Sequence, residues 1–217
     1  MNQTTTAPNQ NSAPLWQVLF RPASREQKNQ RNVVIDAIGV GITAGVGSFL
    51  SVFLVRLGAS NFQVGLLTAM PALTGMALAI PVGEFLSRRP NIVPWFATSR
   101  FFVLSCYLLT GLIPFLVTAQ APAAIIAIWA LATLPQTIVS VAFTVVMGAV
   151  AGPGGRMTLM SRRWSILGLT NTVTVLIVGQ LLNLFAFPLK YQGGCIGSTI
   201  GALISCIFSS SIKMPAV

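Results

Sequence analysis

The chain holds three acids, Glu26, Asp36 and Glu84, and no histidine in 217 residues. General acid–base or nucleophilic chemistry needs a carboxylate and a second titratable partner held within hydrogen-bond reach. These three acids are far apart in sequence and fall at different depths relative to the apolar runs, so the spacing sets up no pair. Cys106, Cys195 and Cys206 all lie inside apolar runs. No two have metal-ligand spacing, and they read as small buried thiols. The Gly-Pro-Gly-Gly at 152–155 lacks the Lys-Ser/Thr of a phosphate loop and reads as a turn. The sequence therefore predicts no enzyme, no metal site and no cofactor.

What is left are polar side chains embedded in apolar sequence, where an amide or carboxyl group is costly and is a functional candidate by default. Asp36 lies near the start of one run. It reads either as a cation- or proton-linked group in a cavity, or as an interfacial acid paired with Arg31 or a loop arginine. Gln136 follows Pro135 near the centre of another run. A kinked helix with an amide at mid-depth suits the wall of a substrate path; an interhelical hydrogen bond explains it equally well. Asn171, Gln180 and Asn183 share a third run, and Gln180 and Asn183, three residues apart, share a helix face.

The elements that position these residues follow from composition. The chain is 54% hydrophobic and only 7% charged, with mean hydropathy +0.79. Soluble domains carry about 25% charged residues, so this chain belongs in a bilayer. Its net charge of +10 does not indicate nucleic acid, because the cations sit in small groups between apolar runs and not on one face. The first 32 residues form a polar tail, with an amphipathic piece around Leu15, Trp16, Val18, Leu19 and Phe20 suited to the headgroup level or simply unstructured. The amino-terminal stretch has no apolar core of the signal-peptide kind.

Six apolar runs follow, near 33–56, 62–82, 92–117, 121–150, 164–187 and 193–212, each long enough to cross roughly 30 Å of hydrocarbon. Continuous apolarity, not alternation, makes them helices. The expected fold is an all-α bundle of six transmembrane helices, closed by a short end at 213–217. Pro71, Pro114 and Pro135 fall inside the runs and should kink them. Arg100 either precedes the true start of the third helix or snorkels to the interface. Eleven of the thirteen Lys and Arg residues fall on one side of this arrangement, which predicts that both termini are cytoplasmic. The expected setting is the cytoplasmic (inner) membrane of a prokaryote.

Small residues recur every four positions: Ala37, Gly41 and Gly45 in the first helix, and Gly193, Gly197, Gly201 and Ser205 in the sixth. Such rows let helix backbones approach closely, either within the bundle or against another chain.

Two stretches carry a resemblance. "RLGASNFQVGLL" (56–67), followed after an apolar run by "GEFLSRRP" (83–90), resembles helices 1 and 2 and the cytoplasmic loop 2–3 signature of major facilitator superfamily transporters. Gly83 and Arg88 match that signature, Glu84 and Arg89 sit within it, and Ser87 and Pro90 stand where the family has aspartate and glycine. "GPGGRMTLMSRRWSILGLTNTVTVLIVGQLLN" (152–183) is similar to the family's loop 4–5 and fifth helix. The resemblance implies the amino-terminal half of a twelve-helix carrier, built of inverted three-helix repeats, with a cavity lined by helices 1, 2, 4 and 5. It implies a second six-helix half, a homodimer or other membrane subunits as partners besides the lipid. It leaves two functions open: transport of a small solute, or a transporter-derived structural subunit of a larger membrane complex. In the family the loop aspartate joins a conformation-dependent charge network; with Ser87 in its place, Arg88 and Arg89 read as topology anchors, and Glu84 as a displaced substitute.

Overall fold

The computed structural model describes residues 20, 24–89, 91–117, 120–151, 155–184 and 189–211. The amphipathic piece of the tail other than Phe20, Pro90, the turn at 152–154 and the segment 213–217 lie outside the described residues, as do the side chains of Glu26 and Asn183.

Among the described residues the helices of four or more residues are α1 (Arg25–Gly47), α2 (Leu50–Arg56), α3 (Asn61–Ser87), α4 (Val93–Leu116), α5 (Ala121–Ala151), α6 (Arg156–Leu184) and α7 (Leu189–Ser210). α1 and α2 form one span of Gln27–Arg56, so six segments are long and apolar enough to cross a membrane. No strand occurs among the described residues. The chain is thus a multi-pass, membrane-type helical bundle. Leu73, Met76 and Ile80 on α3, and Leu169, Leu176 and Ile177 on α6, are exposed, which only lipid makes favourable over such lengths.

Local chemistry sets the ends. Ser24 caps α1 by accepting from the Gln27 amide at 3.1 Å. Ser60 and Gln63 form a reciprocal capping box at the start of α3, satisfying two amide groups that no helical carbonyl can reach. Before it, Gly58 takes a φ of +90°, a left-handed turn that only glycine adopts without strain. The Asn91 carboxamide oxygen accepts from the Val93 amide at 3.1 Å where α4 begins.

Two boundaries, the end of α3 and the start of α6, differ from the sequence expectation, while the start of α4 agrees with the expected 92–117 and excludes a start after Arg100. α3 continues to Ser87, so Gly83 and Glu84 are helical. α4 begins at Val93, seven residues before Arg100. α6 begins at Arg156, so Arg156, Arg162 and Arg163 ride on a helix and not in a loop. The helices continue through Pro71, Pro114 and Pro135, and α3 also holds Pro81.

The packing is a chain of neighbours. α6 lies on α1, α1 on α7, α7 on α4, α4 on α5, and α5 on α3. At one end Leu54 of α2, Leu67 of α3, Ile113 of α4 and Ile125 of α5 form a core with Tyr191 of α7, whose ring stacks on Phe53 at 5.2 Å. At the other end Val82, Leu86, Phe96 and Ala142 form one cluster, and Val33, Met147, Val150 and Leu159 another.

Candidate functional site

Glycine brings the site together. A Cβ on Gly39 would collide with the Gly201 carbonyl oxygen and come within 2.8 Å of the Ser205 amide nitrogen. α1 and α7 therefore touch backbone to backbone. With the helices that close, Asp36, nearly one turn before Gly39, meets the inner face of α7. Ser205 Oγ donates to Asp36 Oδ1 at 2.7 Å and Ser209 Oγ donates to the same oxygen at 3.0 Å. On the other flank of α1, a Cβ on Gly41 would meet Thr170 Cβ at 2.8 Å, and one on Gly45 would meet Thr174 Cβ at 2.6 Å. That second close approach aligns α6 parallel to α1 and carries Arg163 to Asp36.

Two arginines converge on the one carboxylate. Arg100 Nη2 lies 2.9 Å from Asp36 Oδ1 and Arg163 Nη2 lies 3.4 Å from Oδ2. Arg100 Nε also donates to Ser205 Oγ at 2.8 Å. Asp36, Arg100 and Arg163 are only 3%, 6% and 4% exposed. The three charges sum to +1, and such an excess in a buried place costs several kcal/mol unless something offsets it. Aromatic faces supply part of that. The Arg163 guanidinium carbon sits 4.2 Å from the Phe143 ring centre and 5.7 Å from that of Trp164, and Arg100 lies 5.3 Å from Phe96; such contacts contribute ~1–2 kcal/mol each when desolvated. Arg163 Nε is buried without a hydrogen-bond partner.

Above this triad lies a cavity of ≈ 420 Å³ between α1, α4, α5 and α6. Arg100, Arg163 and Trp164 line it, with Thr43, Tyr107, Gln136 and Ser140 as its other polar edges. A second cavity of ≈ 120 Å³ is bounded by Pro71, Trp129, Thr133, Tyr107 and Gln136. Tyr107 and Gln136 thus border both. Tyr107 is held edge-on to Trp129 at 4.9 Å, and Trp129 Nε1 donates to Thr110 Oγ1 at 3.1 Å.

The residues expected from sequence fall in several places. Gln136 lines both cavities. Asp36 stands behind the larger one, paired with Arg163, which the sequence assigned to a loop, and with Arg100. Arg100 does not snorkel to the interface: its helix starts two turns earlier, and the side chain turns inward to a carboxylate and a serine. Asn171 is half-buried against the Gly45 backbone, its side-chain oxygen buried and unpartnered, outside the cavity lining. Gln180 is exposed. Gly201 and Ser205 meet α1, but nothing lies within 4 Å of a Cβ at Gly193 or Gly197. The buried face of α7 instead runs Cys195, Ser198, Ala202, Ser205, Ser209, a spacing of three and four. A strict four-residue row winds about 40° around the helix per step, so it leaves the interface after two.

In the 83–90 stretch, Ser87 Oγ donates back to the Glu84 carbonyl oxygen of its own helix at 2.9 Å. Gly83 has nothing within 4 Å of a Cβ, and Glu84 and Arg88 are exposed. Arg89 lies over Phe85 at 4.6 Å and Trp95 at 5.4 Å. Cys106 and Cys195 are buried and Cys206 half-buried, all as free thiols. Among the described residues no three His, Cys, Asp or Glu side chains converge as a metal site would require.

Sequence reasoning left out Arg163, Tyr107, Trp164 and Ser209. The available signal was charge: an arginine within reach of an apolar run, on a chain with one nearby acid, is placed to be a partner. Comparison with known protein families, curated proteins and solved structures finds no match to this chain.

Proposed function

We propose that this chain is one six-helix half of a major-facilitator-type secondary transporter for a small solute, with both ends in the cytoplasm. The observation that carries this reading is the pattern of neighbours. Number the spans one to six and exchange each with the span three away. The pair one–five (α1–α6) becomes four–two (α5–α3), one–six becomes four–three, and three–six maps onto itself. The principal neighbour list is unchanged. A chain of two inverted three-helix repeats produces this closure, and carriers of that kind bind solute at a mid-membrane cavity beside the repeat interface. The cavity bordered by Gln136 has the mixed polar and apolar lining that suits such a site.

The second and fifth spans support the same reading from outside. Their most apolar windows are 6% and 0% buried, against 44% for the first and third. They are the faces on which a second six-helix half would close the solute path. Two of the eleven cations that favour a cytoplasmic side, Arg100 and Arg163, lie inside the bundle; the nine others still outnumber the two on the far side, so the orientation argument stands.

Purification from native membranes in mild detergent tests the proposal. A second six-helix chain or a two-fold dimer enclosing a polar cavity is expected. A stoichiometric set of unrelated membrane subunits would favour the transporter-derived structural role instead. In proteoliposomes holding the intact assembly, Gln136→Leu should abolish counterflow uptake across a panel of labelled small solutes. Undiminished uptake removes Gln136 from the path.

A further inference from the structure

The larger cavity presents more than polarity. Its strongly charged wall is made by Arg100 and Arg163, and the carboxylate that pairs with them, Asp36, sits behind that wall. One positive charge is therefore left facing the cavity. Arg100 is committed, since Nη2 goes to Asp36 and Nε to Ser205. Arg163 is not: it reaches Asp36 through one nitrogen at 3.4 Å, and its Nε is buried with no partner although the side chain is more than nine-tenths buried. The Phe143 and Trp164 ring centres lie 4.2 and 5.7 Å from its guanidinium carbon, and Nη2 is the nitrogen that reaches Asp36.

We propose, resting on the transport reading above, that this cavity takes a small organic monocarboxylate, bound with its carboxylate on the edge of Arg163 and its apolar body among Phe143, Trp164 and Leu104. A guanidinium can offer two parallel donors at the spacing of carboxylate oxygens. The charge count selects the class. A carboxylate brings the four-charge set to zero. A phosphate monoester carries between −1.5 and −2 at pH 7 and overshoots it. An amine adds like charge to two arginines. The ≈ 420 Å³ volume admits a ligand of about benzoate size with water to spare. Thr43, Tyr107 and Gln136 remain for a polar substituent.

Isothermal titration calorimetry of the full chain in detergent, with benzoate, phenyl phosphate, benzylamine and benzamide as probes, tests this directly. Benzoate should bind saturably, at least tenfold more tightly than phenyl phosphate or benzamide, and benzylamine should give no heat of binding. Arg163→Gln leaves Asp36 and Arg100 as a neutral pair, so it should remain folded by circular dichroism and gel filtration while losing benzoate affinity tenfold or more. Arg163→Lys keeps the charge and loses the fork, and should bind benzoate with an intermediate affinity. If Arg163→Gln does not fold, the lysine variant and the four-probe ranking decide. Benzylamine bound as well as benzoate, equal affinity for benzamide, or benzoate binding untouched by either variant overturns the proposal. The readout is binding and not flux. A chain that binds benzoate but moves no solute refutes the transport reading alone, and one that transports without binding benzoate refutes only the substrate class.

Discussion

The α1–α6 interface and the α5–α3 interface occupy corresponding places in the bundle, yet they are held by opposite means. α1 meets α6 through bare backbone: Gly41 and Gly45 against Thr170 and Thr174, spaced four and four. α5 meets α3 through side chains, Ile125 and Ile126 near Leu67 at one end and Ala142 near Val82 and Leu86 at the other. The glycines on that second side, Gly65, Gly75 and Gly148, have nothing within 4 Å of an added Cβ. Both solutions keep two helices parallel in lipid, where packing and not water exclusion holds helices together. The close one carries Arg163 to Asp36, and the equally close α1–α7 contact at Gly39 and Gly201 adds Ser205 and Ser209 to the same carboxylate. The architecture sets which helices are neighbours; the glycines decide which neighbours share a charge cluster.

Removing the carboxylate breaks the comparison most sharply. Asp36→Asn leaves Arg100 and Arg163 buried without an anion, and deleting one partner of a buried ion pair costs about 3–5 kcal/mol. The expected result is a large fall in the thermal unfolding midpoint of the detergent-solubilised chain. Adding Arg163→Gln to Asp36→Asn should cost less than the sum of the two, because the second change relieves the charge excess that the first creates. Additive losses would mean that the two residues do not act on one another. No equivalent loss is available on the α5–α3 side, where Leu86→Ala creates a cavity but strands no charge.

How much of this was legible in the sequence follows from the same contrast. The six helices were readable because lipid demands long continuous apolar runs, and nothing else in the chain imitates them. Gln136 was readable because an amide after a proline in such a run stands out. Arg163 was not. In "MSRRW" two adjacent arginines look like a loop, and only the tertiary approach of α1, permitted by Gly41 and Gly45, turns one of them inward while its neighbour Arg162 falls on a different side. Arg100 misled for the opposite reason: two turns from a helix start is within snorkelling range of the interface, so depth alone did not reveal an inward partner. The four-residue rows announced close packing correctly for Gly41 and Gly45, and for Gly201, but a row cannot name its partner or its length. Gly39, the tightest contact among the described glycines, stands in a neighbouring row, Gly39, Thr43 and Gly47, that the sequence reading did not single out.

Single methyl groups sharpen the contrast at smaller scale. Gly41→Ala places its Cβ 2.8 Å from Thr170 Cβ and 2.9 Å from the Leu167 carbonyl oxygen, so the helices must separate, at ~1–3 kcal/mol for an overpacked contact. Gly148→Ala meets nothing and replaces a flexible residue in a helix interior, which should leave stability unchanged or raise it by up to about 1 kcal/mol. The two variants add one identical methyl group to helices at corresponding places in the bundle, α1 and α5. Thermal midpoints moving in the same direction would show that the two sides are packed alike after all.

The smallest effect is expected where the sequence drew most notice. "GEFLSRRP" is the most polar break in the middle of the chain, and the family it resembles keeps an acid at the place of Ser87. Here the Ser87 hydroxyl turns back onto its own helix and Glu84 and Arg88 face outward, while the buried charge cluster lies about Asp36. Ser87→Ala therefore gives up one exposed helix-end hydrogen bond, worth no more than about 0.5 kcal/mol at a surface position, and Glu84→Gln about as little. Neither should alter benzoate affinity by as much as twofold, since neither residue lines the cavity. A tenfold loss from Ser87→Ala would mean that coupling at this turn reaches the site, and that the cluster at Asp36 works together with the loop.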